Sequence, residues 1–298
     1  MQLRYFATVA RLGSMTAAAR ELLVSQSAIS AAIAQLEKEL DVQLLLRQHA
    51  RGLTLTGVGE RFYRETVELL AQSVALSDLA ADAGHHYSGE LNIGCFTTLG
   101  PIEMPRILAR LEAAHPGIRP RVSEDEQRKL QDALRTGRCE IALMYRYRLD
   151  PDIASRRAGL APPYVLVSAD HPLAGRGTVR LAELAHEPMI LLDLPDSRDY
   201  LASVVASANV TPRIGPMSAG FESVRVMVAR GLGYAILNQR PAHDVTYSGR
   251  KVVMLGIEDS VPPMEIVVAW LKGVRLSGRA KAFIRIAVGG AQQTRSTG

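Results

Sequence analysis

The chain has 298 residues, 47% of them hydrophobic and 22% charged, a balance that fits two or three core-forming units and excludes wholesale disorder. No apolar run approaches the ~18 residues of a membrane span, two cysteines make no disulfide framework, and MQLRYFATVARLG lacks the layout of an export signal, so a cytoplasmic protein away from membranes is expected. The formal net charge of +5 is not concentrated at the N-terminus, because residues 1–88 carry 8 Lys/Arg against 9 Asp/Glu, and basicity alone places no nucleic-acid site there.

All 15 prolines lie from Pro101 onward. Proline breaks helix interiors, so the first 100 residues read as mostly helical. Leu3, Phe6, Val9 and Ala10 form a helical stripe ending near Gly13. A short helix follows from Thr16 to Leu22, with Thr16 as its expected N-cap. A third opens at Ser25 and runs to about Glu39, with Ile29, Ile33, Leu36 and Leu40 on one face. GLTLT then alternates by twos, like the second strand of a small hairpin whose tip falls at Ala50-Arg51-Gly52. From Gly57 to about Gly84 runs a breaker-free helical stretch. It carries Phe62, Leu69 and Leu76 every seven residues, and Tyr63, Val67, Leu70 and Val74 as a second stripe. Two apolar stripes need two partners, and the heptad makes a second copy of the same helix one of them.

From Gly89 onward strands and helices alternate. Strands are predicted at Leu91–Cys95, Ile141–Tyr145, Tyr164–Ser168, Pro188–Leu192, Tyr234–Leu237, Val252–Leu255 and Glu265–Trp270. Helices are predicted at Met104–Ala113, Lys129–Thr136 and Phe221–Arg230. Such alternation implies an open, largely parallel sheet flanked by helices. About 210 residues is large for one such sheet, so two α/β lobes around a cleft are expected. The division is then 1–56, a linker helix and hinge over 57–88, and 89–298. Within the last, lobe I takes about 89–160 and 266–298, and lobe II about 161–265.

A short helix, a tight turn, an amphipathic helix and a hairpin make a winged helix-turn-helix. The exposed face of the third helix offers Ser25, Gln26, Ser27, Ser30 and Gln35, side chains able to bond base edges or phosphates from the major groove. A structural helical bundle with a polar face has the same spacing. The residues themselves go further. YFATVARLGSMTAAARELLVSQSAISAAIAQLEKELDVQLLLR, followed by GLTLTGVGE, resembles the DNA-binding domain of LysR-type transcriptional regulators. The resemblance is dense over residues 3–60, through GS-x-T-x-AA, VSQSAIS, QLE-x-EL-x-V-x-L and LT-x-x-G. It continues in GELNIG, LRTGRCEIAL, ADHPLA and VARGLGYAIL. It implies an α + α/β chain with a winged helix-turn-helix, a long dimerising linker helix and a C-terminal two-lobed, periplasmic-binding-protein-like α/β domain. The implied activity is sequence-specific transcription regulation, tuned by a small organic effector held between the lobes. Double-stranded operator DNA and a homodimer or homotetramer are the implied partners.

The chain departs from the family in one respect. Basic or amide side chains are frequent in the recognition helix after the second serine, where this sequence has Ala31-Ala32 and Ala34, and no arginine lies between Ser25 and Glu37. Direct readout is therefore expected from Gln26 and the serines, with Thr16 and Gln35 in the DNA-contacting set. Phosphate anchoring falls to Arg47 and Arg51, joined by His49 and Lys38. Residues 1–56 hold 6 Lys/Arg and 4 Asp/Glu, a net of +2, so a single copy should bind DNA weakly.

In open α/β sheets, ligands sit beyond the carboxyl ends of strands, near helix N-termini. The first such edge is Cys95 to Pro101, where Thr97, Thr98 and Leu99 match the family's ligand loop; N-capping by one threonine is the bland reading. Gln127, Ser197 with Arg198, and Ser218 with Phe221 mark three further edges. Tyr145 and Arg146 are candidates for the cleft floor, and Arg198 reads equally as a solvated surface charge. Helix N-termini and hydroxyls suit a small organic anion, while Glu124-Asp125-Glu126 suits an amine, and the two stay open. His85-His86 lacks further ligands for a metal. Gly231-Leu232-Gly233 lacks the rest of a dinucleotide fingerprint, and no P-loop, GxSxG or HExxH is present. No enzyme, cofactor or metal is expected. The rival reading is a solute-binding protein or α/β enzyme with an incidental helical N-terminus. Cys95 and Cys139 are expected as ordinary reduced thiols, with a redox pair as the alternative.

Overall fold

The computed structural model describes residues 1–48, 52–82, 87–195 and 197–293. The first unit comprises α1 (Gln2–Leu12), α2 (Met15–Leu22), α3 (Gln26–Leu40) and a hairpin of β1 (Leu45–Gln48) and β2 (Gly52–Leu55), paired from Leu45↔Leu55 to Gln48↔Gly52. Gly13 ends α1 at φ 61, a left-handed conformation that glycine adopts freely. The N-cap of α2 is Ser14, not Thr16: the Ser14 hydroxyl accepts from the Ala17 N–H at 3.2 Å, and Thr16 lies one residue inside the helix. Ser25 caps α3 in the same way, accepting from Ala28 N–H at 3.2 Å. Ile29, Ile33 and Leu36 bury themselves against Phe6, Val9 and Ala18, whereas Leu40, the fourth residue of the expected stripe, is 40% exposed.

Two contacts tie the wing to this core. The Glu37 carboxylate accepts from the N–H groups of Leu44 at 2.7 Å and Leu45 at 3.0 Å, holding the start of β1 against α3. Thr56, just before α4 (Gly57–Asp82), donates its hydroxyl to Gln43 O and accepts from Gly59 N–H, both at 2.8 Å. Gly59 is required there, because an ideal Cβ would fall inside the envelope of the Leu44 carbonyl oxygen and 2.9 Å from its carbon. The first turns of α4 belong to this core as well, with the Phe62 and Tyr63 rings 5.4 and 6.4 Å from Phe6.

The remainder runs β3 (Gly89–Phe96), α5 (Met104–Ala114), β4 (Ile118–Asp125), α6 (Gln127–Arg135), β5 (Ile141–Tyr145), β6 (Ile153–Ala161), β7 (Tyr164–Ser168), β8 (Thr178–Val179) and β9 (Pro188–Leu192). It ends with α7 (Ser197–Ser207), β10 (Arg213–Ser218), α8 (Phe221–Ala229), β11 (Ala235–Leu237), β12 (Val252–Ile257), β13 (Met264–Leu271) and α9 (Gly278–Gln293). One sheet has the order β4-β3-β5-β13-β6 and another the order β11-β7-β12-β8, with β9 and β10 as a parallel pair. The sheets are mixed rather than largely parallel. β3 runs parallel to β4 and β5, but β13 returns from the second sheet and enters between β5 and β6 antiparallel to both. In the second sheet β7 is antiparallel to β11 and to β12. β5 and β7 are buried along their whole length, as central strands covered on both faces must be.

Candidate functional site

On α3 the residues opposite the buried Ile29, Ile33 and Leu36 are Ser27, Ala31, Ala34 and Lys38, all exposed. Gln26 and Ser30 flank this line on one side and Gln35 on the other. Gln26 is braced from the preceding helix, where the exposed Thr16 donates its hydroxyl to Gln26 Oε1 at 3.1 Å, leaving the amide N–H groups of Gln26 for another partner. Ser25 and Ser27 share a hydroxyl contact at 3.0 Å, and Ser25 is also engaged as the cap. Gln35 Nε2 donates to Glu39 Oε1 at 2.9 Å. Arg47 stands in β1 opposite Leu53. Arg51 and His49, and the paired histidines 85 and 86, lie outside the described residues.

A second site lies where the two sheets meet, a solvent-open cleft with about 570 Å³ of space between its walls. Its polar wall combines Thr98, Gln127 and Tyr145 from the first sheet with Ser197, Asn238 and Gln239 from the second, and Phe96, Tyr147, Tyr200 and Phe221 supply aromatic surface. Hydrogen bonds cross between the sheets here. Gln239 Nε2 donates to Tyr145 Oη at 3.0 Å, and Tyr145 Oη lies 3.2 Å from the Thr98 hydroxyl. Asn238 Nδ2 donates both to Ala161 O and to Tyr200 Oη at 2.9 Å, and Arg148 pairs with Asp199 of α7. Burial pushes the Tyr145 phenol up to about 12, with the hydrogen bonds from Thr98 and Gln239 opposing the shift. It is therefore a neutral phenol at physiological pH.

Thr98, Gln127, Tyr145, Ser197 and Phe221 thus come together, and five other candidates do not line the cavity. Thr97 turns its hydroxyl to Asp125 O at 3.3 Å. Leu99 is fully buried core. Arg146 is paired with Glu265 at 2.5 Å, and Arg198 is paired with Asp193 on an exposed surface. Ser218 accepts from Gly220 N–H at 3.2 Å, ahead of α8. Sequence reasoning missed Tyr200, Asn238 and Gln239. The last two follow the carboxyl end of β11, so the strand-end rule used for the other edges would have found them.

The two thiols are shielded from each other. An ideal Cβ on Gly94 would sit 3.1 Å from Cys139 Sγ, so Cys139 lies on the Gly94 side of β3, and Cys95, one residue on, points through the opposite face. Burial pushes both thiols up to about 12, against the ordinary 9.0.

Residues 84–292 match the LysR substrate binding domain, and residues 1–60 match the bacterial regulatory helix-turn-helix protein of the lysR family. The chain belongs to the LysR family. This LysR-type transcriptional regulator has a helix-turn-helix DNA-binding domain and an effector-binding domain. It is 35% identical to HinK, a LysR family transcriptional regulator from Pseudomonas aeruginosa, with 97% of each chain covered and a TM-score of 0.66. Full-length OxyR C199D from the same organism is 26% identical, with 98% of this chain and 96% of that one covered and a TM-score of 0.78. The uncharacterized HTH-type transcriptional regulator YvbU of Bacillus subtilis is 28% identical over 294 residues, 96% of each chain. Among the described residues of this LysR-family chain, no helix is long and apolar enough to cross a membrane.

Where α4 meets the effector-binding domain, the Tyr63 hydroxyl donates to Thr136 O, the residue that closes α6. Val67 packs on Gly137, where an added Cβ would lie 2.8 Å from Val67 Cγ1.

Proposed function

We propose that this regulator reads its operator through Gln26, Ser27 and Ser30 of α3, with Ala31 and Ala34 against thymine methyls, and holds its effector in the cavity between the sheets. Alanines at the centre of the outward face let the helix backbone approach the groove closely, and a methyl group is the one base-edge feature an alanine recognises. Two copies joined through α4 supply two such helices, which a net charge of +2 over residues 1–56 makes necessary for a firm grip. The observation that carries the reading is the cavity itself, closed by side chains from both sheets and bridged by the Gln239–Tyr145 hydrogen bond. A molecule bound there touches both sheets at once, so it favours whichever arrangement suits it better and shifts the separation of the paired reading helices. The setting is a cytoplasmic one, and no catalytic role is assigned. The test is a nuclease footprint of the full-length protein on the DNA upstream of its own gene. Gln26→Ala with Ser30→Ala should weaken protection at least tenfold, since each good base contact is worth roughly 1–3 kcal/mol. An unchanged footprint would overturn the assignment of α3 as the reader.

A further inference from the structure

We infer that the molecule held in the cavity is uncharged at neutral pH, largely apolar, and gives one N–H or O–H hydrogen bond to Gln127 Oε1; this rests on the cavity being the effector site. Gln127 opens α6 and is 2% exposed. Its Nε2 donates to Tyr145 O at 2.8 Å and Tyr147 O at 2.7 Å. Those partners are carbonyl oxygens, which only accept, so the nitrogen must face them and the amide cannot be turned over. Its Oε1 is left buried with no hydrogen-bond partner. A buried acceptor without a donor is costly, and a ligand donor placed there relieves it.

The charge of the ligand follows from the wall. None of the described residues lining the cavity is Lys, Arg, His, Asp or Glu. The nearby cations are already engaged. Arg146 is paired with Glu265, Arg148 with Asp199 and Arg198 with Asp193, and Arg240 stacks on the Tyr164 ring at 4.5 Å. The turn leading into α5 offers an anion little either. The N–H groups of Leu99 and Gly100 bond Phe96 O, and those of Ile102, Glu103 and Met104 bond Leu99 O. The Glu124 carboxylate sits against Gly100. An anion would therefore meet no full positive charge, only the partial ones at the N-termini of α7 and α8 beside Ser197 and Phe221, and an ammonium group would lose its hydration for no lining carboxylate. Phe96, Tyr147, Tyr200 and Phe221 favour instead a flat apolar body.

The experiment compares three probes of one shape by saturation-transfer NMR with the full-length protein at pH 7: benzamide, benzoate and acetophenone. Benzoate exchanges the amide for a charge, and acetophenone exchanges the NH2 donor for a methyl group. Benzamide should bind at least tenfold tighter than either, and Ser197→Trp, which fills the cavity from its half-exposed rim, should abolish its binding; Phe221→Trp serves if that variant loses its native circular dichroism. If benzoate or acetophenone binds as well as benzamide and the tryptophan variant still removes it, the uncharged-donor inference is overturned while the cavity stands as the ligand site. Binding that the tryptophan variants leave untouched overturns the cavity assignment. No binding by any of the three at about 10 mM, weaker than a fragment making one good contact, overturns the inference as well.

Discussion

Gly57 and Gly59 lie two residues apart at the start of α4, and only one of them is confined. Nothing lies within 4 Å of a Cβ built on Gly57, whereas a Cβ on Gly59 strikes the Leu44 backbone. Gly59→Ala must push β1 away from α4, and overpacking against backbone belongs at the upper end of the usual range, about 3 kcal/mol of lost stability. Gly57→Ala should fall within about 0.5 kcal/mol of the parent. Urea unfolding followed by far-ultraviolet circular dichroism checks both, and equal effects would refute the contact. The cysteines give a second expectation at this scale. With both thiols pushed up to about 12, the thiolate fraction at pH 8 is on the order of one in ten thousand. Neither Cys95 nor Cys139 should react with a disulfide reagent in the native protein within an hour, and both should react in guanidinium. Release of one equivalent of thiol product under native conditions would contradict the burial. Single residues also mark where sequence reading reached its limit. Ser14 and Thr16 are both cap-forming types, serine the better of the two, and the left-handed turn at Gly13 presents Ser14 to the Ala17 N–H.

Elements with a strong internal period are legible in the sequence. α3 follows from the spacing of its apolar face, and β5 and β7 from uninterrupted apolar runs. β4, β6 and β10 are not. IRPRVSED buries only its first residue fully, IASRRAGLA carries two exposed arginines, and RIGPMS contains both glycine and proline. These edge strands bury few of their residues on either face, so they carry no apolar alternation to read. The wing's attachment was also hidden, because it depends on a carboxylate bonding backbone seven and eight residues away. Glu37→Ala strips the acceptor from the N–H groups of Leu44 and Leu45 and should cost about 2 kcal/mol, while Glu37→Gln, which keeps an acceptor, should cost about half as much. Chemical denaturation of the two variants separates them, and equal losses would mean the carboxylate acts through packing alone.

At the scale of the whole molecule, the linker helix leaves an apolar side chain uncovered in the single chain. Leu69, in the expected heptad with Phe62 and Leu76, is 51% exposed, whereas Phe62 is packed into the first unit's core. Leu69→Glu should shift sedimentation toward a single copy and weaken operator binding on the order of a hundredfold, because the second reading helix no longer arrives with the first. Retention of both assembly and affinity would remove α4 from the interface. The cavity shows the same division between legible and hidden. Its strand-end loops were readable along the chain, but the neutrality of its wall was not. That neutrality depends on which arginines find carboxylates in three dimensions, and Arg146 and Arg198 look available until Glu265 and Asp193 are seen beside them.

α6 is nine residues long, about 13 Å from end to end. Gln127 at its start lines the cavity between the sheets, and Thr136 at its close accepts from the hydroxyl of Tyr63, whose ring also packs on Phe6. Under the proposed function, a rigid rod seated in this way would act as a piston. A ligand that pushed its head by an ångström would push its foot by nearly as much, and the foot is hydrogen-bonded to the helix that leads out of the DNA-binding domain.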